Sequence, residues 1–354
     1  MTHKTGEVVA LVGAQTGSEG KGAVAAAIAH KYGVHIRTGG PNAGHTFYHE
    51  GKKWVARSIP CGWINPDAKI VIGPGAMVDA ALLRQEAEEI EAAGYRILDR
   101  LYVDESASLI DPIRHHAFEG GVDGDAHQLI GSTGEGVGPA RMARVARRTF
   151  PSDIPWAKLD LVGDRRDLFS WLHTHSGWDT ANLVNGWLDQ GQDVLLEGTQ
   201  GSELSLTHGP WPYCTSTDTN AGQLAVDAGV SPSLVKKTFL VARTFPIRVA
   251  GNSGPMYKET TWEALGLEPE VTTVTKKVRR VGIYDAAAVE RAVILNRPAE
   301  IVLTFADYID AKVIGVTDKK KITEPVWDFV DMVEETSGAA VVGIGTGPDS
   351  LVWV

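Results

Sequence analysis

Short apolar runs of strand length recur along the chain, and each is separated from the next by a helical pattern or a polar segment. The runs lie at residues 7–12, 34–37, 69–72, 100–103, 194–196, 239–241 and 301–303. Helix-forming stretches lie at 21–30, 78–93 and 286–295. Short apolar strands that alternate with helices are typical of parallel sheets. The sequence therefore predicts an α/β fold with a large, mostly parallel central β-sheet flanked by helices.

The chain shows no internal boundary in its composition. It has no hinge rich in Pro, Ser or Gly, no long run of like charge and no repeat of fixed period. Linkers between domains and repeat architectures usually carry such signals. We therefore expect residues 1–354 to form a single domain with loop insertions.

Composition and charge narrow the class of protein. The 34 Lys and Arg residues against 44 Asp and Glu residues give a formal charge of −10. This balance argues against a protein that coats nucleic acid, which normally has a basic surface. Two cysteines, Cys61 and Cys214, show no zinc or disulfide spacing. Without a signal-peptide core or a run near the roughly 18 apolar residues of a membrane span, we expect a cytoplasmic protein that binds neither membranes nor nucleic acid.

Glycine is enriched, at 39 of 354 residues, and one cluster follows the first predicted strand at residues 13–22, GAQTGSEGKG. The backbone N–H groups of such a loop and the helix N-terminus after it favour an anion, which predicts a phosphate loop like that of the P-loop NTPases. The match is incomplete, because Gly22 follows Lys21 where the common template has Ser or Thr. A dinucleotide-binding turn and a tight turn with a solvated lysine are the alternatives.

A second glycine-rich segment reads GGPNAGHT at residues 39–46. Its His45 is a candidate for proton transfer beside a phosphate loop, although a lone histidine is more often an ordinary loop residue.

Together the two segments resemble the paired signatures GDEGKGK and NAGHT of the adenylosuccinate synthetase family. Here they read GSEGKG at 17–22 and NAGHT at 42–46. The resemblance continues in matching order through GSTGEGVGP, VARR, EGTQG, HGPWPYCTS and TGPD, which begin at residues 131, 145, 197, 208 and 346. Members of the family move the γ-phosphoryl group of a nucleotide onto the 6-oxygen of a purine monophosphate, and the amine of aspartate then displaces the phosphate. The resemblance implies this ligase chemistry, in which a poor leaving group is first made a good one.

The resemblance also implies residue roles. Lys21 would stabilise charge on the transferred group, and His45 would act there as an acid and electrostatic partner. Gln200 would hold the purine 6-oxygen. The donor phosphates would bind at Gly17, Glu19, Gly20, Gly22, Gly44 and Thr46, with Mg²⁺ at Ser18 and Gly44. The acceptor monophosphate would bind at Asn42, Thr133, Arg147 and Thr215, and the family's use of the Arg147 position across a subunit interface implies a homodimer.

The aspartate loop of the family corresponds to residues 271–280, VTTVTKKVRR. Its cationic side chains suit a dicarboxylate, although such a run alone also fits a solvated basic turn. The residues implied for aspartate are Thr273, Val274, Thr275, Lys277 and Arg279, and Arg279 is also implied for the donor. Lys277 and Glu135 both stand where the family usually has Arg, so aspartate recognition must be partly rebuilt.

Position 18 decides the expected acceptor. Family members that use IMP have Asp there, which takes the N1 proton and helps to hold Mg²⁺, whereas serine is a poor base at neutral pH. An inactive homologue is one explanation. A second is that the shorter Ser18 leaves room for a 2-amino group and accepts a hydrogen bond from it. Guanine carries this group and hypoxanthine does not.

The same replacement is similar to the viral branch of the family, the bacteriophage 2-aminoadenylosuccinate synthetases that use dGMP for diaminopurine DNA. We therefore expect condensation of dGMP with L-aspartate. An ordinary synthetase using IMP and GTP is the nearest alternative, and a nucleotide-binding switch without ligase chemistry is the alternative of another class. The residue that takes the N1 proton does not follow from the sequence, although a water held by Ser18 or Glu19 would suit.

The donor base is expected to bind where the family has a Thr-Lys-Leu-Asp segment. Here it reads TFAD at 304–307, so Phe305 can stack on a purine and Asp307 can accept hydrogen bonds from it. Gly345, Gly347 and Pro348 follow in a second loop. The loss of the lysine favours ATP over GTP.

Overall fold

The structure is a computed structural model that describes residues 5–111, 115, 130–147, 171, 174, 176–271 and 277–354. Within these ranges a ten-stranded sheet has the order β17-β16-β15-β11-β1-β10-β2-β5-β7-β9. All neighbouring strands in it are parallel except β16 and β17. Its strands are β1 (Val8–Gly13), β2 (Val34–Arg37), β5 (Lys69–Ile72), β7 (Leu101–Asp104), β9 (Ser176–Trp178), β10 (Val194–Glu197), β11 (Val235–Arg243), β15 (Ala299–Thr304), β16 (Val341–Gly347) and β17 (Ser350–Trp353).

Three smaller β-structures accompany the main sheet within the part of the chain that the structure describes. They are the hairpin of β3 (His45–His49) and β4 (Lys52–Ala56), the parallel pair of β6 (Met77–Val78) and β8 (Ser108–Leu109), and the antiparallel group of β12 (Ile247–Arg248), β14 (Arg280–Gly282) and β13 (Glu259–Thr260).

The helices of the described ranges pack on the main sheet, except the one at Val137–Val145, which packs on β6 and β8. They are α1 (Lys21–Ile28), α2 (Ala80–Ala92), α3 (Val137–Val145), α4 (Thr180–Asp189), α5 (Ala221–Asp227), α6 (Ala286–Leu295) and α7 (Glu324–Ser337). Local chemistry explains several of their ends. The side chains of Asp79, Asp179, Asn220 and Asp285 accept hydrogen bonds from backbone N–H groups in the first turns of α2, α4, α5 and α6. No described helix has the length and hydropathy needed to cross a bilayer.

Alternate residues of each strand enter opposite cores. On β1, Val8, Ala10 and Val12 belong to one buried cluster, whereas Val9 and Leu11 belong to the other. Because both faces are covered by helices, the strands read as continuous apolar runs rather than as an alternation. This explains why the seven predicted strands, now β1, β2, β5, β7, β10, β11 and β15, were visible in the sequence, and the predicted fold class is confirmed.

The order of strands brings several carboxyl ends to one edge of the sheet. Loops after β1, β2, β10, β11 and β15 all leave from that edge, and these strands occupy neighbouring positions. Ligands of open parallel sheets bind in the crevice beyond the carboxyl ends of the strands. The fold therefore directs attention to this edge.

Candidate active site

A cavity of about 1540 Å³ lies at this edge. Single small-molecule sites usually measure roughly 300–1,000 Å³, so the cavity has room for more than one substrate. Most of the predicted site residues line it. They are Gly17, Ser18, Gly20, Lys21, Gly22, Asn42, Gly44, His45, Thr46, Thr133, Gln200, Thr215, Lys277, Arg279, Phe305, Asp307, Gly345, Gly347 and Pro348.

The buried side chain of Glu19 stabilises the first glycine-rich loop. This side chain is fully buried, and its carboxylate accepts hydrogen bonds from the backbone N–H groups of Gln15 (3.1 Å) and Gly17 (2.8 Å). Its other oxygen lies 2.6 Å from Lys21 Nζ. The Glu19 side chain therefore stabilises the loop itself, and the assignment of Glu19 to the donor stays a prediction.

Helix α1 begins at Lys21, directly after this loop, and packs closely on strand β3. A Cβ atom built on Gly22 would lie 2.8 Å from the Thr46 carbonyl oxygen and 2.9 Å from His45 Cβ. Only glycine permits this approach, which explains why Gly22 replaces the Ser or Thr of the common phosphate loop. The approach also joins the two glycine-rich segments into one surface.

His45 is held by the last residues of two neighbouring strands. Glu197 ends β10 and Arg37 ends β2, and the two are direct partners in the sheet register. His45 Nδ1 lies 2.6 Å from Glu197 Oε1, and Arg37 Nη1 lies 3.0 Å from the same oxygen. The Cys61 backbone N–H donates to the other oxygen at 2.7 Å. Because an ionised carboxylate can only accept hydrogen bonds, His45 Nδ1 carries the ring proton and donates the hydrogen bond to Glu197.

Burial and charge set the protonation of this group. Burial and the nearby Arg37 and Lys21 charges lower the pKa of His45, so its imidazole is neutral near pH 7. Burial would raise the pKa of Glu197, but the hydrogen bond from His45 and the charge of Arg37 hold it well below its usual range. His45 Nε2 is buried and has no hydrogen-bond partner within the described ranges. It is thus a free proton acceptor in a residue that lines the cavity.

His45, Cys61 and Glu197 also lie close enough to suggest a metal site, with one potential ligand atom of each within 4.8 Å of the others. Both oxygens of Glu197 already accept hydrogen bonds, and the donor set mixes nitrogen, sulfur and oxygen. Mg²⁺ prefers oxygen ligands alone. The geometry is that of a hydrogen-bonded cluster that orients His45.

Ser18 lies at the mouth of the cavity in the left-handed region, with φ 59°. Its side chain is exposed, and its Oγ accepts a hydrogen bond from Arg279 Nη1 at 2.7 Å. Its carbonyl oxygen accepts one from Arg243 Nη1 at 3.2 Å. Two arginines therefore fix a conformation that is otherwise strained for a residue with a Cβ. A hydroxyl can still accept one more hydrogen bond and donate one.

The acceptor residues that the sequence predicts come from separate loops. A Cβ atom built on Gly17 would lie 4.0 Å from Gln200 Oε1, so the phosphate loop and Gln200 border the same space. Asn42, Thr133 and Thr215 line the cavity from three further loops. Arg147 does not, since it is exposed at the end of α3 outside the cavity of its own chain.

The predicted donor-base residues gather beyond the ends of β15 and β16. Arg243 lies 3.9 Å from the centre of the Phe305 ring and covers one of its faces. Burial raises the pKa of the Asp307 carboxyl, which lines the same side of the cavity. Tyr308 also packs against Phe305, with ring centres 5.1 Å apart, and Phe305 lines the cavity.

The aspartate loop is described only in part. Thr273, Val274 and Thr275 lie outside the described residues, whereas Lys277 and Arg279 line the cavity. Glu135 does not line it, because its carboxylate lies 2.7 Å from Arg57 Nη2. The charge reversal at this position is therefore neutralised by a cation of the same chain.

Glu197, Arg37 and Arg243 hold predicted site residues in place but were not themselves predicted as site residues. Glu197 lies in a segment that the family resemblance included, and Arg37 and Arg243 end strands. Each is a charged residue at the carboxyl end of an apolar run. This is the one signal in the sequence that could have indicated a place at the ligand-binding edge of the sheet.

Comparison with known proteins identifies the class. The sequence model of the adenylosuccinate synthetase family matches residues 10–153 and 172–319. The adenylosuccinate synthetase of Methanocaldococcus jannaschii is 38% identical over 345 residues, which cover 96% of this chain and 94% of that protein. The enzyme of Thermococcus sibiricus is 36% identical over 343 residues, which cover 96% and 95%. The chain belongs to the adenylosuccinate synthetase family, and it is a carbon–nitrogen ligase rather than a nucleotide-binding switch.

Two solved structures share the fold. The succinoaminodeoxyadenylate synthetase of cyanophage S-2L, bound to dGMP and to dATP as energy donor, aligns with TM-score 0.81 at 29% identity and covers 97% of this chain and 93% of its own. The fully ligated adenylosuccinate synthetase of Plasmodium falciparum aligns with TM-score 0.86 at 22% identity, covering 99% and 100%.

Proposed function

We propose that this ligase condenses dGMP with L-aspartate, driven by ATP, through a 6-phosphoryl purine intermediate. The observation that carries the proposal is Ser18, a short hydroxyl at a position where IMP-using members have an acidic side chain. Its Oγ is exposed at the cavity and keeps one acceptor position beside its bond to Arg279. A 2-amino group is a donor of the right kind for that position. The cyanophage relative supports the assignment, because its structure holds dGMP.

The site residues suit the two chemical steps. Lys21, at the start of α1, would face the transferred phosphoryl group together with the N–H groups of the glycine-rich loop. His45 Nε2 would take up a proton as the anionic group arrives, because negative charge favours the protonated imidazole, and would then donate a hydrogen bond to the phosphoryl oxygens. Gln200 would orient the 6-oxygen, and Lys277 and Arg279 would pair with the carboxylates of aspartate.

Mg²⁺ dependence is a general property of this family. The chain offers the Gly44 backbone oxygen, a hard neutral ligand of the kind that accompanies substrate phosphates around Mg²⁺. The Ser18 hydroxyl is another such ligand, but its one remaining acceptor position cannot serve both the ion and a 2-amino group, and the charge that an aspartate would bring is absent at position 18. When bound, Mg²⁺ would neutralise charge that develops on the donor phosphates.

The donor is proposed to be ATP or a closely related adenine nucleotide. Phe305 and Asp307 would hold the base through stacking and an acceptor carboxylate. The energy donor in the cyanophage structure is dATP, which supports an adenine base.

A second candidate is the ordinary reaction with IMP and GTP. The curated archaeal relatives favour it, since they are named adenylosuccinate synthetases and cover nearly the whole chain.

Purified protein supplied with aspartate, Mg²⁺ and one acceptor at a time separates the two candidates. We expect phosphate release with dGMP and ATP at a rate at least about tenfold above that with IMP and GTP. Each acceptor should be tested with each donor, so that acceptor and donor preferences are read independently. Turnover with IMP alone would reject the dGMP assignment.

A further inference from the structure

Arg243 is a buried charged residue to which the reaction scheme above gives no role. It ends strand β11, its side chain is fully buried, and it pairs in register with Thr304, the residue before Phe305. Its backbone N–H and carbonyl are both bonded to the side-chain amide of Gln15, at 2.9 and 3.0 Å. The Arg243 backbone is therefore anchored to the phosphate loop independently of the contacts that its guanidinium makes.

The guanidinium makes three kinds of contact at once. It stacks on the Phe305 ring at 3.9 Å, and its Nη1 donates to the Ser18 carbonyl oxygen at 3.2 Å. Its Nη2 is bonded to Glu270 Oε1, and Tyr308 donates to the same oxygen at 3.0 Å. One rigid planar group thus connects the donor-base side of the cavity with position 18.

Glu270 extends this connection to the other side of Ser18. Burial would raise the pKa of its carboxyl, but the Arg243 charge and hydrogen bond hold it below its usual range. The Glu270 carbonyl oxygen accepts the backbone N–H of Arg279 at 2.8 Å. Arg279 in turn donates to Ser18 Oγ at 2.7 Å. The backbone and the side chain of Ser18 are therefore both held through contacts that begin at Arg243.

We propose that Arg243 is a positioning residue that couples occupation of the donor-base site to the setting of Ser18. A base stacked on Phe305 from the cavity holds the ring against the guanidinium, and the guanidinium then holds the left-handed Ser18 that faces the acceptor. Donor binding thereby favours the acceptor-binding conformation, and the reverse follows by linkage. The inference rests on the proposed donor site at Phe305, but not on which purine is the acceptor.

The test measures binding rather than turnover. Calorimetric titration gives the dissociation constants of dGMP and of IMP with and without a saturating non-hydrolysable ATP analogue. In the wild-type protein we expect the analogue to lower the dissociation constant of the preferred acceptor by a factor of about ten. In Arg243→Lys, which keeps the charge but loses the planar stack and the fork, this factor should fall to about one.

Two variants separate positioning from general loss of structure. Arg100→Lys removes another half-buried guanidinium, which bonds the carbonyl oxygens of Trp63, Asn65 and Ala68 outside the cavity, and should keep the wild-type factor. Glu270→Gln is nearly isosteric and weakens the contact that holds Arg243. It should therefore reduce, but not abolish, the tightening of acceptor binding by the ATP analogue. This variant takes the place of Arg243→Lys if Arg243→Lys does not fold.

The inference fails if the wild-type factor is about one, or if folded Arg243→Lys, or Glu270→Gln in its place, keeps the full factor. Failure of the dGMP assignment has a different signature, since IMP would then be the acceptor whose affinity the analogue changes.

Discussion

Ser18 is the residue at which the acceptor preference is decided in our proposal. Its backbone adopts φ 59° and its hydroxyl is bonded to Arg279, so the side chain is presented to the cavity rather than free to rotate. An aspartate at this position would meet the same guanidinium as an ion pair, and the fold would tolerate the replacement. Position 18 can therefore be exchanged to test selectivity without removing the loop.

Ser18→Asp should shift the ratio of kcat/KM for dGMP to that for IMP toward IMP by at least about tenfold, because the longer carboxylate crowds a 2-amino group. Ser18→Ala is the matched control, since it removes the hydroxyl oxygen that accepts the hydrogen bond without crowding the base. It should lower kcat/KM for dGMP more than kcat/KM for IMP. Steady-state kinetics with both acceptors measures the ratios. An unchanged ratio in Ser18→Asp would show that another residue selects the base.

Glu197→Gln should lower kcat by about 10²-fold or more while the protein stays folded, because an amide no longer fixes the Nδ1 proton of His45 or balances Arg37. His45→Ala should depress kcat at least as far. The double variant should be no slower than His45→Ala alone if Glu197 acts through His45. Strictly multiplicative losses would instead assign Glu197 a separate role.

At the scale of elements, the contact of α1 with β3 holds the two glycine-rich segments together. The hairpin begins at His45, and the helix begins one residue before Gly22. The sequence predicted the helix from its alanines, but the hairpin was not predicted, because its alternation of buried and exposed residues is short and lies beside a glycine-rich run. Only the tertiary structure reveals how closely α1 approaches β3: a Cβ atom built on Gly22 would lie 2.8 Å from the Thr46 carbonyl oxygen.

Gly22→Ala should destabilise the protein by about 2 kcal/mol and lower kcat, because the added methyl group pushes β3 and His45 away from α1. Gly186→Ala is the matched control, since Gly186 is a helical glycine in α4 with no atom within 4 Å of the built Cβ. That control should be stabilised by about 0.5–1 kcal/mol. Denaturant unfolding of both variants measures the difference, and equal effects would contradict the packing argument.

At the scale of the whole molecule, buried histidines make stability depend on pH. His35 is fully buried, and burial lowers its pKa to about 4. Burial also lowers the pKa of His45. Because the folded state favours the neutral forms, their contribution is complete above the ordinary pKa of about 6.5 and is lost as the pH falls from there toward 4.

The free energy of unfolding should therefore fall by up to about 3 kcal/mol for His35 alone between pH 6.5 and pH 4. His35→Gln should show a shallower slope over this interval, whatever its stability at pH 7.5. The exposed His30→Gln is the control and should keep the wild-type slope. Parallel curves for His35→Gln and the wild type would reject His35 as the source.

The proposed homodimer is tested by mixing variants. Arg147 is exposed and outside the cavity of its own chain, as expected for a residue that serves a partner. Arg147→Ala and Lys21→Ala should each be nearly inactive. Refolded together in equal amounts, they should regain about a quarter of wild-type activity, because half of random dimers are mixed and each carries one complete site. A mixture no more active than the average of its parents would reject the shared site.

The sequence by itself determined the local elements and the chemistry of the loops. Apolar strands buried on both faces read as continuous runs, so the central strands and α1 could be predicted from nearest neighbours in the chain. The glycine-rich segments made Lys21 and His45 candidates, whereas the role of Gln200 was implied only by the family resemblance. The tertiary structure decided which strand ends meet. Glu197 contacts Arg37 from 160 residues away, and Arg243 contacts Ser18 from 225. Strand order in the sheet creates these contacts, and no local pattern encodes that order because each strand is equally apolar.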